Sequence, residues 1–311
     1  MPDATARELG EFGLIDHVVA RLGTSPAVLL GPGDDAAVVT APDGRVVATT
    51  DVLVEGVHFR RDWSSAYDVG RKAAAANLAD VAAMGATATA LLVGLAAPGD
   101  LPVAWATGLA DGLRDEAALV GAVVVGGDTV GCDRVVVSVT ALGDLAGRPP
   151  VTRAGARPGD DVVLAGPLGR SAAGLALLQA GQRSGPLVDA HRRPTPPYAL
   201  GPVLADLGAT SMCDVSDGLV QDAGHLATAG GVHLEVDSAL LPRVDGVDLD
   251  AGLTGGEDHA LLATVPAGTA LPDGVVRIGR VRAGEGVSVL GHDPGPASWQ
   301  HFSLDARWSQ D

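Results

Sequence analysis

The sequence predicts a mixed α/β fold in two halves. Short β-branched or apolar runs of strand length alternate with alanine- and leucine-rich stretches of helix length. A stretch dense in Gly, Pro and Arg, "GDLAGRPPVTRAGARPGD" at 143–160, interrupts the pattern. The same alternation then restarts. We place the boundary there and expect an N-terminal domain over 1–146 and a C-terminal domain over 147–311.

In the first half, "AVLLG" (27–31), "AAVVT" (36–40) and "RVVATTDVLV" (45–54) read as strands because they are short and β-branched. Residues 66–84, "AYDVGRKAAAANLADVAAM", read as an Ala-rich helix that stops at Gly85, a C-cap residue. "TALLVGLAA" (89–97) is a strand, 103–120 a second helix, and "AVVVGG" (122–127) and "RVVVSVTALGDL" (134–145) two more strands. The second half reads as strand 161–166, helix 170–181, strand 209–215, helix 217–231, then strands 232–237, 259–265 and 274–281. Ser216 or Asp217 is a fitting N-cap for the helix beginning there.

Composition narrows the function. Residues are 47% hydrophobic but only 3% aromatic, so Val, Leu and Ala must fill the core. A formal net charge of −17 argues against nucleic-acid binding and against adhesion to anionic membranes. The opening "MPDATARELGEFGLIDHVV" has acids and no uninterrupted apolar core, and no run approaches a membrane span, so we expect a cytoplasmic protein. Cys132 and Cys213 are too few for a disulfide framework or a Cys-rich zinc site, and we read both as inert small hydrophobes. Lys72 is the single lysine, in "GRKAAAANLAD". A Walker-type loop needs Gly-Lys-Ser/Thr, so any phosphate chemistry here uses another device.

That device is suggested by carboxylates. Asp34 and Asp35 follow Gly-Pro-Gly, Asp51 follows Thr49 and Thr50, and Asp128 follows Gly126 and Gly127. Asp80 interrupts an apolar helix, three residues after Asn77 on the same face, and Asp214 and Asp217 bracket Ser216. Each alone has an ordinary reading as a turn, a cap or a solvated acid; Asp80 must be exposed or paired, since an unpaired buried carboxylate costs several kcal/mol. Together they sit at strand ends and strand–helix junctions beside Gly and hydroxyl residues, where open α/β sheets place ligands. Hard oxygen donors without His/Cys spacing suit Mg²⁺ or Ca²⁺, and Mg²⁺ typically bridges carboxylates to phosphates.

The motifs "GPGDDAAVV", "TTDVLVEGVHF", "KAAAANLADVAAMGA", "GGDTVG", "VTRAGARPGD", "CDVSDGL" and "GGEDHALL" occur in the order found in the thiamine-monophosphate kinase family. That family lies within the aminoimidazole ribonucleotide synthetase-like superfamily, and the resemblance runs from Gly10 to Phe302. It implies a two-domain fold of that superfamily, with an N-terminal sheet pairing across a homodimer and a C-terminal α/β domain completing the cleft. It also implies transfer of the γ-phosphoryl of ATP to thiamine monophosphate, assisted by several Mg²⁺ ions. Carried over by position, Asp35, Thr49, Thr50, Asp51, Asp80, Asp128, Asp214 and Asp217 resemble metal ligands. Gly127, Asp128, Arg153 and Ser216 match nucleotide contacts, and His58, Glu257 and Trp299 match positions that meet thiamine monophosphate. The pattern departs at His259, where the family often has tyrosine, and in the short segment "SWQHF" around Trp299.

The chemistry suits these residue types. The acceptor phosphate is already a nucleophile, so no general base is expected, and the obstacle is repulsion between two polyanions. Cations held by carboxylates answer it, and Arg153 adds a bidentate phosphate contact. His58, Arg153, Glu257 and Trp299 each also have plain structural readings. Among relatives of the same superfamily, selenophosphate synthetase normally needs Cys or selenocysteine with Lys near its N-terminus, and residues 1–33 hold neither. A non-catalytic nucleotide- or metal-binding module is the rival of another class.

Overall fold

The computed structural model describes residues 5–30 and 37–293. It divides into two compact units. The first takes the described residues to Val81 and Ala88–Asp144; the second takes Ala82–Thr87 and those from Leu145 onward.

The first unit contains α1 (Ala6–Val19), β1 (Val28–Leu30), β2 (Val38–Val39), β3 (Val47–Val54), most of α2 (Ala66–Ala83), most of β4 (Thr87–Ala97), α3 (Val103–Ala118), β5 (Val123–Gly131) and β6 (Val136–Asp144). β1 and β2 pair antiparallel as a small ribbon. The main sheet has the order β3-β6-β4-β5; β3 runs antiparallel to β6, and β4 parallel to β5. One face is core: Leu53, Val137, Val139 and Ala141 are buried, as are Ala73–Ala76 and Leu78 of α2. Small residues let α2 and α3 cross in backbone contact. A Cβ on Gly70 would lie 2.2 Å from the Leu109 carbonyl oxygen, and one on Gly112 2.2 Å from that of Tyr67.

The other face of this sheet is open. Val52 is 45% exposed, Leu92 38% and Val130 59%. Strand register unites them: Val52 pairs with Ser138, Ser138 lies against Gly94, and Leu92, Gly94 and Ala96 pair with Gly126, Asp128 and Val130. A groove of about 910 Å³ runs from this face to Ile15, Val18 and Val19 of α1 and Val39 of β2.

The second unit contains β7 (Asp161–Ala165), α4 (Arg170–Gln179), α5 (Pro186–Arg192), α6 (Leu200–Asp206), β8 (Ser211–Val215), α7 (Leu219–Gly230), β9 (His233–Asp237), α8 (Leu249–Thr254), β10 (Ala260–Val265), β11 (Val275–Arg282) and β12 (Gly286–Leu290). Its six-stranded sheet has the order β12-β9-β11-β7-β10-β8, antiparallel except for the β12–β9 pair. Every residue of β7, β8 and β10 is buried, so helices cover both faces. Alternate residues feed opposite layers. Val162, Leu164 and Val215 pack with Leu226 of α7 and Leu253 of α8; Val163, Met212 and Leu261 pack with Leu204 of α6.

The strands and long helices fall close to their predicted spans. Elements α1, α5, α6, α8 and β12 were not anticipated. The expected N-cap of α7 is corrected: Gly218 occupies that position, and the Asp222 carboxylate accepts from the Asp217 and Gly218 N–H groups at 3.0 and 3.1 Å. Cys213 is buried as expected, but Cys132 is exposed, which overturns its reading as a packed hydrophobe.

Candidate active site

In the first unit, the inner face of β3 and one face of α2 meet. Strand alternation turns Thr49 and Asp51 toward α2 and Thr50 away from it. Thr49 Oγ1 donates to Asp80 Oδ2 at 2.7 Å. The Asp51 N–H donates to Asn77 Oδ1 at 3.0 Å, and buried Asn77 Nδ2 donates to the Ala73 carbonyl at 3.0 Å. The acid inside the apolar helix is therefore paired, and Thr49, Asp51 and Asp80 form one oxygen-rich group.

Thr50 and Asp128 lie apart from that group. Thr50 Oγ1 donates to the Val139 carbonyl at 3.0 Å and accepts from Thr140 Oγ1 at 3.1 Å. Asp128 is exposed on the edge strand β5, on the open sheet face, and accepts from the Thr129 N–H at 2.8 Å. Asp51 and Asp128 stand on the two edge strands, three strand spacings or about 14 Å apart. Gly127 is required by packing: a Cβ there would lie 1.9 Å from the Val93 carbonyl oxygen. The close approach anticipated for this glycine is to the chain itself. Asp35 and Trp299 lie outside the described residues.

His58 follows β3 in a tight loop, where its Nδ1 accepts from the Val54 N–H at 3.0 Å and its carbonyl accepts from Lys72 Nζ at 3.2 Å.

In the second unit, Asp214 is the next-to-last residue of the edge strand β8, 5% exposed, with His259 Nδ1 3.0 Å from its Oδ2. His259 thus gives the departure from tyrosine a physical role, that of a polar partner for a buried carboxylate. The segment 255–259 packs against the β8–α7 junction. Glu257 N–H donates to the Ser216 carbonyl at 2.8 Å and His259 N–H to that of Val215 at 3.0 Å. Glu257 and His259 both hold positive φ, 66° and 54°. A Cβ on Gly256 would lie 2.3 Å from the Ser216 carbonyl oxygen, so this glycine too serves internal packing. Asp217 accepts from Gln221 Nε2 at 3.0 Å. Asp217, Asp222 and His225 bring ligand atoms within 4.8 Å of one another. Arg153 is exposed on a short 3-10 turn, Arg153–Gly155.

Two buried acids here escaped sequence analysis. Burial pushes the Asp222 carboxyl up to about 7, against the two backbone N–H groups that lower it. Burial likewise raises Asp258 to about 6, while it accepts from the Gly169 and Ser171 N–H groups at 2.5 and 2.9 Å. Cys213 is held inert, its thiol pushed well above the usual range by burial first and by Asp222 and Asp214 next.

Residues 33–145 match the family model described as AIR synthase related protein, N-terminal domain, and residues 157–291 the corresponding C-terminal domain. Thiamine-monophosphate kinase from Mycobacterium tuberculosis H37Rv is 48% identical over 96% of this chain and 93% of its own length. The chain belongs to the thiamine-monophosphate kinase family. Among solved structures, that of the kinase from Stenotrophomonas maltophilia K279a is 35% identical with a TM-score of 0.80, covering 91% of this chain and 97% of that one. AaThiL complexed with AMPPCP and TMP is 36% identical with a TM-score of 0.79, covering 95% and 98%. The two domains are therefore of the AIR synthase related type.

Within that kinase fold, sequence analysis missed Asn77 as the clamp on Asp51, although its spacing from Asp80 was visible. It also missed His191, buried with Nδ1 3.0 Å from Ser171 Oγ and 3.6 Å from Glu257 Oε2. His191 is 66 residues before Glu257, on another element, so only tertiary structure could join them.

Proposed function

We propose that this protein catalyses ATP-dependent phosphorylation of thiamine monophosphate, giving thiamine diphosphate and ADP, as the last step of thiamine diphosphate synthesis. The observation that carries the reading is near full-length likeness to kinases of that name, one of them solved with AMPPCP and TMP. The donor chemistry agrees. Thr49, Asp51 and Asp80 in one unit, and Asp214 and Asp217 in the other, supply hard oxygen atoms that fit magnesium. Bound magnesium neutralises phosphate charge and polarises the transferring phosphoryl group.

The residues divide the remaining work. Asp35, Thr49, Thr50, Asp51, Asp80, Asp128, Asp214 and Asp217 hold the cations. The separation of Asp128 from the Thr49–Asp80 group favours several ions over one, because no single ion spans about 14 Å. Gly127, Arg153 and Ser216 bind the nucleotide, with the Arg153 guanidinium able to fork onto phosphate oxygens. His58, Glu257 and Trp299 orient thiamine monophosphate. No residue is needed as general base, since the acceptor phosphate is already nucleophilic.

Residues 1–146 form the ATP- and magnesium-binding part and 147–311 the second domain, in this reading. The open face bearing Val52, Leu92 and Val130 is where a second copy of the chain pairs, since an apolar sheet face of this kind favours burial. Among the described residues no helix is long and apolar enough to cross a membrane, in keeping with a cytoplasmic enzyme. The test is coupled ADP release with ATP and Mg²⁺, with and without thiamine monophosphate. A kinase releases ADP only when the acceptor is present. A nucleotide-binding module binds ATP and shows no acceptor-dependent turnover.

A further inference from the structure

Asp222 is 3% exposed, and aspartate is almost never fully buried without a partner. It stands one turn into α7, and its Oδ2 accepts from two successive backbone N–H groups, those of Asp217 and Gly218. The turn it reaches back to is held from the other side as well. The Ser216 carbonyl accepts from the Glu257 N–H at 2.8 Å, and the Val215 carbonyl from the His259 N–H at 3.0 Å. The peptide between Ser216 and Asp217 is therefore bonded at both its oxygen and its nitrogen, and the peptide before Ser216 at its oxygen. A peptide is planar, so holding the two planes that flank Ser216 fixes its Cα and the direction of its Cβ. The turn has little room to relax: Gly218 holds φ 118°, and a Cβ there would lie 2.6 Å from the Thr254 carbonyl oxygen. A solvated side chain at the N-cap position, or water, serves the first N–H groups of a helix at less cost than a buried carboxylate. A buried acid in that role points to a demand on the turn itself.

We propose that Asp222 is a positioning residue for the nucleotide: its carboxylate pins the 216–218 turn so that the Ser216 hydroxyl meets the nucleotide in one pose. The inference rests on the reading that Ser216 binds the nucleotide. A hydroxyl both donates and accepts, so its chemistry alone does not select one nucleotide atom; the place where the backbone holds it does. A turn ordered in advance also spares the ligand the cost of ordering it.

The test is the affinity of the full chain for AMPPCP with Mg²⁺, by titration calorimetry, for wild type, Asp222→Ala, Asp222→Asn and Ser216→Ala. One amide oxygen can accept from both N–H groups as one carboxylate oxygen does, so asparagine keeps the pin and alanine removes it. Asp222→Ala is expected to weaken AMPPCP binding about tenfold, and Asp222→Asn to stay within about twofold of wild type. In steady-state kinetics, KM for thiamine monophosphate in Asp222→Ala is expected to stay within about twofold. An unchanged affinity in Asp222→Ala, an equal loss in Asp222→Asn, or a tenfold rise in KM for thiamine monophosphate overturns the inference. If Ser216→Ala weakens AMPPCP binding and Asp222→Ala does not, only the role of Asp222 falls. If Ser216→Ala leaves the affinity unchanged, the assignment of Ser216 to the nucleotide falls, and the inference with it. AMPPCP affinity needs no turnover, so a failure of the kinase reading shows separately, in the coupled assay. Should Asp222→Ala fail to fold, amide ¹H–¹⁵N spectra of the wild type decide. Asp217 and Gly218 resonances that move on adding Mg²⁺ and AMPPCP support the proposal; resonances that stay in place overturn it.

Discussion

Asp80 stands in an alanine-rich helix and is paired with Thr49 across to the sheet. Such an arrangement serves a purpose beyond packing, because alanine at that point would fill the helix without needing a partner. Asp51→Ala is expected to cut turnover by at least about a hundredfold, as for loss of a group that stabilises transition-state charge, with a melting temperature within a few degrees of wild type. Coupled ADP release and thermal melts check this; a large drop in melting temperature with turnover retained would make Asp51 structural. Asp258 offers a pH test. Its carboxyl is raised from 3.8 to about 6, mainly by burial. Below pH 4 it is neutral in folded and unfolded chains and costs nothing. As pH rises from about 4 to 6 the unfolded chain ionises first, so stability falls, by about 3 kcal/mol in all, and then levels off. Urea titrations should show this loss in wild type and a flatter profile in Asp258→Asn. At this scale the sequence revealed the acids and their neighbours but not their partners. Asn77 with Asp51, and His259 with Asp214, required the fold, since 26 and 45 residues separate the pairs.

Elements were legible where their pattern was strong. The hydrophobic strands β3, β6 and β10 and the long Ala-rich helix α2 stood out by period and length. α1 opens with a capping box of Thr5 and Glu8, but Gly10, at φ 70°, breaks its helical period. The short helices α5, α6 and α8 have six or seven residues, too few for a period to show. Gly126 and Gly127 were visible as a pair, but their purpose was not. The structure assigns the close approach of Gly127 to the Val93 carbonyl. Gly127→Ala is therefore expected to destabilise by about 2 kcal/mol or more and to disturb Asp128, whereas Gly131→Ala, with nothing within 4 Å of its Cβ, stays within about 0.5 kcal/mol. Denaturant melts of the two variants separate backbone crowding from a general intolerance of this strand.

At the scale of the molecule, the mixed α/β architecture followed from alternating strand and helix patterns on either side of the Pro- and Arg-dense stretch. Strand order did not, because β7 pairs with β10 and β11 from a hundred residues away. The open sheet face was hidden for a related reason: alternation in β3 marks two faces but does not say which one another layer covers. If a second copy covers it, light scattering gives a mass twice that of one chain, and Val52→Asp with Leu92→Asp returns it to one. A wild type that stays at the mass of one chain at micromolar concentration contradicts the pairing. The measurement that bears most directly on the whole account is a stoichiometric assay with ATP, Mg²⁺ and thiamine monophosphate, resolving products by ³¹P NMR. A thiamine-monophosphate kinase forms ADP and thiamine diphosphate one for one, with no ADP when the acceptor is withheld. ADP formed at the same rate without thiamine monophosphate, or bound ATP with no thiamine diphosphate formed, would contradict it.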